Sequence, residues 1–142
     1  PKLNVIRGVP EESQIAINEV GQGGSGNFFV EIQNDSTIDQ ELQSHLLVSS
    51  SGQEYVFPNQ TITGGGYLSV STTELGFTPE VGERLFLFTP DRIQLSDARQ
   101  VTGRLRGRSP DHDGRWLYPD TATPGSPNSF GFQDDIVINE IM

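Results

Sequence analysis

Asn27-Phe28-Phe29-Val30-Glu31-Ile32-Gln33-Asn34 is the stretch that decides the fold class. Phe28, Val30 and Ile32 alternate with Phe29, Glu31 and Gln33, the period of two that a strand with one buried face requires. Working outward, His45-Leu-Leu-Val48, Glu54-Tyr-Val-Phe57 and Gly66-Tyr-Leu-Ser-Val70 are short runs of the same kind. Arg84-Leu-Phe-Leu-Phe88 is apolar on both faces and reads as a central strand. Turn residues separate these runs: Ser51-Gly52, Pro58-Asn59, Gly64-Gly-Gly66, Pro79 and Thr89-Pro-Asp91. Only a short helical turn, over 72–76, is expected. The pattern predicts an all-β protein, an antiparallel sandwich or barrel.

The run just before this strand, Gly21-Gln-Gly23-Gly-Ser-Gly26, matches the G-x-G-x-x-G signature of dinucleotide sites. That chemistry needs a helix whose N-terminus meets the pyrophosphate. An alternating aromatic strand follows instead, so the glycines are expected to form a loop between strands.

Composition narrows the class. A chain of 142 residues suits one domain, and 16 Gly and 9 Pro with 33% hydrophobic residues suit strands and turns rather than helix bundles. With no Cys, disulfides and thiolate chemistry are excluded. No apolar run approaches the roughly 18 residues of a membrane-spanning helix. The formal net charge is −10, so duplex nucleic acid and anionic lipid meet a repulsive average field. The charge is uneven. No Lys or Arg stands between Gly8 and Glu83, whereas seven Arg stand between Arg84 and Arg115. Two readings follow: the basic stretch folds back on the acidic one, or it forms a local anion-binding patch. Lys2 is the single lysine, a composition that fits a saline or extracellular setting.

Ile15-Ala-Ile-Asn-Glu-Val20 recurs as Ile136-Val-Ile-Asn-Glu-Ile141. The repeat predicts tandem domains: a linker over 1–13, a domain over 14–130, and a linker with the first strand of a following repeat over 131–142. The other reading is a strand at each end of one domain. On the tandem reading the chain is a piece of a longer protein, and strand 136–142 packs on this domain or exchanges between copies. Residues 103–130 are dominated by Gly, Pro and turn formers and are expected to form a long strap. Trp116, the only tryptophan, is expected to pin that strap to the sandwich, the alternative being a platform for sugar or peptide.

Taken in order, Ile15-Ala-Ile-Asn-Glu-Val20, Phe28-Phe-Val-Glu-Ile-Gln-Asn34, Tyr55-Val-Phe-Pro58, Thr61-Ile-Thr-Gly-Gly-Gly-Tyr-Leu-Ser-Val70 and Gly82-Glu-Arg-Leu-Phe-Leu87 resemble the lamin-tail domain family. So do Gly107-Arg-Ser-Pro-Asp111, Gly114-Arg-Trp116 and the closing Thr123-Pro-Gly-Ser-Pro-Asn128. The resemblance implies an immunoglobulin-like β-sandwich. It also implies a non-catalytic, bacterial module of a larger secreted or cell-surface protein, with no universal catalytic residue to carry over.

Chemical motifs are sparse. Asp111-His112-Asp113-Gly114 offers two carboxylates in a turn, short of the six to eight oxygens calcium takes. His45 and His112 lack zinc-ligand spacing. Asn34-Asp-Ser36 and Asn59-Gln-Thr61 match the glycan-acceptor pattern. No catalytic, cofactor-binding or metal-binding residue is assigned, and no cofactor is implied. The expected function is that of a spacer or a protein- or glycan-interaction module. Its partners would be neighbouring domains of the same chain, and protein or glycan, with no nucleic acid and no membrane insertion. The alternative is a calcium-assisted carbohydrate-binding module built on Trp116, Tyr118, Asp111 and Asp113.

Overall fold

The computed structural model describes residues 14–110 and 114–130. The strands in chain order are β1 (Ile15–Val20), β2 (Phe29–Asn34), β3 (Gln40–Glu41), β4 (Leu46–Ser49), β5 (Glu54–Val56), β6 (Thr61–Ile62) and β7 (Tyr67–Ser71). After the one-turn helix α1 (Thr72–Leu75) come β8 (Arg84–Phe88), β9 (Leu95–Gln100), β10 (Arg106–Arg108) and β11 (Trp116–Leu117). Ser71 starts the helical turn with a reciprocal cap: its Oγ accepts from the Glu74 amide, and the Glu74 carboxylate accepts from the Ser71 amide. Gly76, at φ 81°, ends it.

Two antiparallel sheets face one another. One runs β11-β10-β1-β2-β7, the other β5-β4-β8-β9, and the short pair β3-β6 stands beside them. The alternation decides what lies between: Phe28, Val30 and Ile32 of the decisive stretch are all buried, packed with Ile15, Ile17, Leu47, Leu85 and Leu87. Each such side chain contributes roughly 1.5–3 kcal/mol by leaving water. Arg84–Phe88 is central in its sheet, with β4 and β9 as neighbours. Its second apolar face looks outward, where Val56, Leu46, Phe88 and Leu95 form one cross-strand row. The architecture is an immunoglobulin-like β-sandwich.

The expected strap is shorter than 103–130. Arg106-Gly-Arg108 and Trp116–Leu117 pair with each other and extend the β1 sheet, leaving the strap proper to begin after β11. A three-residue strand with Arg at both ends shows no hydrophobic period; backbone pairing alone makes it a strand. β9, with Ser, Asp, Arg and Gln among its six residues, lacks a signal for the same reason. The linker over 1–13 and the second repeat copy over 131–142 lie outside the described residues.

Candidate functional site

The opening strand contains a conflict that its sequence does not resolve. Strict alternation in Ile15-Ala-Ile-Asn-Glu-Val20 would place Glu19 beside Ile15 and Ile17 in the apolar interior. The register shifts instead between Ile17 and Glu19: Ile17 faces Ile32, Glu19 faces Glu31, and Val20 faces Val30. This β-bulge turns Glu19 to the outer face and returns Val20 to the core. The bulged backbone takes side-chain partners. The Ile17 amide donates to Asp97 Oδ2 at 2.9 Å, and Arg108 Nη2 donates to the Ile17 carbonyl at 3.1 Å.

On the outer face a single row now crosses the whole sheet: Leu117, Gly107, Glu19, Glu31 and Ser69. Glu19 and Glu31 stand directly opposite one another, yet both are fully buried. What buries them is the strap. The Thr123 amide donates to Glu19 at 3.2 Å and the Thr123 hydroxyl at 3.3 Å, while the Gly125 amide donates to Glu31. Asn18 Nδ2 at 3.0 Å and Ser69 Oγ at 3.2 Å complete the Glu31 shell. Asn128 closes the strap, its Nδ2 donating to the carbonyls of Asn18 (2.9 Å) and Arg108 (2.8 Å), its Oδ1 accepting from Thr123. Position 107 must be glycine, because a Cβ there would lie 2.6 Å from Asn128 Nδ2. Thus Asn18-Glu19 of β1 and Thr123-Pro-Gly-Ser-Pro-Asn128 of the strap, distant along the chain, are the two halves of one latch.

Burial pushes the Glu19 carboxyl up to about 7, and the facing Glu31 charge adds to this against the opposing hydrogen bonds from Thr123. Near neutral pH the latch therefore holds a carboxyl that exchanges its proton. It has no solvent-accessible surface, so no substrate reaches it.

Trp116 packs on the core, as expected of an anchor, but the strap's hydrogen bonds run to the carboxylate pair on the opposite face of the sheet. Trp116 offers no bare platform, whereas Tyr118 keeps 48% of its surface exposed beside the guanidinium that stacks on it. Arg99 lies 4.5 Å from the Trp116 ring centroid and Arg104 4.0 Å from that of Tyr118, with Arg106 within 6 Å of both rings and Arg108 near Trp116. Asp111 and Asp113, the residues of the calcium reading, lie outside the described residues, as does His112. His45 Nδ1 lies 3.2 Å from the Leu42 carbonyl. Among the described residues no group of three His, Asp or Glu side chains is placed to hold a metal ion, and no helix is long and apolar enough to cross a membrane. Of the two glycan-acceptor matches, Asn34 is fully buried with its Nδ2 on the carbonyls of Ile38, Ile62 and Thr63, so it is a structural pin; Asn59 is exposed. The glycine-rich run leads into β2 and no helix follows it, as the alternation required.

Sequence reasoning missed the latch. Its halves were visible as two separate motifs, and Glu31 carried the signature of an ordinary solvent-facing strand residue. Only the bulge and the returning strap bring Glu19 to it.

By sheet order and layering the molecule is a domain of the immunoglobulin-like class. The family model of the Lamin Tail Domain matches residues 9–106, and the chain belongs to that family. The match covers the sandwich through the start of β10 and stops before the strap. No curated protein matches the chain.

Proposed function

We propose that this domain is a non-catalytic, load-bearing spacer within a larger secreted or cell-surface protein, its partners being the neighbouring domains of the same chain. One observation carries the reading: the strap near the end of the domain is hydrogen-bonded across β1, the strand that begins it. Force entering through the two ends of such a domain meets the Thr123, Gly125 and Asn128 hydrogen bonds before it reaches the core. Among the described residues Glu19 is the carboxyl tuned near neutrality, and its burial supports a structural use of that group rather than catalysis. Packing of Trp116 on the core with the Arg99 guanidinium over its ring argues against that residue as a carbohydrate platform, since sugar rings need an open aromatic face.

Single-molecule pulling on a tandem array of residues 1–142 tests this. Asn128→Ala is expected to lower the unfolding force or to separate an early strap-release event. Equal force traces for the wild type and Asn128→Ala would remove the load-bearing role.

A further inference from the structure

From the arginine cluster we infer that the rim between β9 and β10 binds a short acidic segment of protein chain in extended conformation. Arg106 and Arg108 alternate with Gly107, so they stand on the face of the sheet opposite the strap, where β9 presents Arg99 and β11 presents Trp116. Arg104 continues the row and stacks on Tyr118. Among the described residues Asp97 is the one carboxylate that meets this group, at 3.4 Å from Arg99 Nε and 3.5 Å from Arg108 Nη2. Arg104 and Arg106 have no ion pair and no side-chain hydrogen bond among the described residues. In a chain with 19 acids and 9 bases, two guanidiniums held in place by aromatic rings yet lacking a counter-charge are an unusual use of scarce cations. Tyr118 occupies the plane of Arg104, and Arg106 Nε is buried without a hydrogen-bond partner; the terminal N–H groups of both remain the part that can take a carboxylate.

The geometry favours a peptide over other polyanions. Side chains two apart on a strand repeat every ~6.6–7 Å, and alternate carboxylates of an extended peptide repeat at the same spacing. The positive field is also local. Beyond roughly 8 Å at physiological salt it is screened, and the remainder of the molecule is strongly acidic. A segment with two or three carboxylates fits inside that range, whereas a long sulfated glycan or a nucleic acid strand extends into the repulsive surface. Burial, with Arg108 and Arg106 close by, draws the Arg99 guanidinium below its ordinary value, so the cluster gains from an incoming anion. The inference adds a binding surface to the spacer reading and does not depend on the latch bearing load.

Trp116, the single tryptophan, reports on the site directly. Its fluorescence is followed while the peptide Ser-Glu-Ser-Glu-Ser-Glu is titrated into residues 1–142 at ~50 mM and at ~300 mM salt. Saturable binding that weakens with salt is expected. Arg104→Gln with Arg106→Gln should weaken it roughly ten- to thirty-fold. Arg104→Gln alone, outside any strand, provides a variant whose folding is not at stake, and should weaken it about three- to five-fold. Arg92→Gln, at the Glu54 ion pair elsewhere on the surface, should leave it unchanged. Absence of peptide binding, equal binding by the Arg104 variants, or equal or tighter binding of a sulfated oligosaccharide or single-stranded oligonucleotide overturns the inference. None of these outcomes alters the pulling experiment, so the two readings fail separately.

Discussion

Glu19→Gln removes the titrating group of the latch while keeping its shape, and its effect is expected to depend on pH. In the folded protein the Glu19 carboxyl is pushed up to about 7, from an ordinary 4.5. A carboxyl raised on folding binds its proton more tightly in the native state. Its contribution is fully present below about pH 4.5, declines as pH rises between the two values, and is lost above pH 7. The difference corresponds to about 3 kcal/mol. The substituted side-chain amide keeps an oxygen for the Thr123 amide and carries no charge to oppose Glu31. Urea unfolding followed by Trp116 fluorescence, at intervals from pH 4.5 to 8, supplies the stability of both proteins. Groups remote from the latch cancel in the difference curve, which reports on Glu19 together with the Glu31 it faces. The variant should gain on the wild type by about 3 kcal/mol across this window. For a domain of this size that is a relative rise of roughly 10 °C in Tm. A difference that stays constant with pH would refute the account of two carboxylates sealed face to face.

Gly107→Ala places a methyl against the buried Asn128 amide and should cost about 1–3 kcal/mol, with faster hydrogen exchange at Thr123 and Gly125 and little change in core amides. Asn34→Ala leaves the carbonyls of Ile38, Ile62 and Thr63 without their shared donor; thermal unfolding should show a loss of about 3 kcal/mol.

Alternation in residues 27–34, the doubly apolar Arg84–Phe88 and the turn residues between them determined the all-β class, the central strand and most of the core. Those features are properties of consecutive residues: a pleated backbone sends neighbours to opposite faces, and water sorts them. The one-turn helix was equally local, since Ser71 and Glu74 cap its start and the Gly76 amide closes its end on the Thr72 carbonyl. Three things were settled only in three dimensions. The bulge after Ile17 reverses the phase of β1, and it depends on Asp97 and Arg108, some 80 and 91 residues away, to satisfy the freed backbone. Glu31 reads as a solvent-facing residue, but a strap some 94 residues onward covers it. Arg104, Arg106 and Trp116 acquire their meaning from β9, which carries no periodic signal of its own. In each case the decisive partner is distant along the chain, where spacing says nothing and only the closed sandwich brings the groups within bonding range.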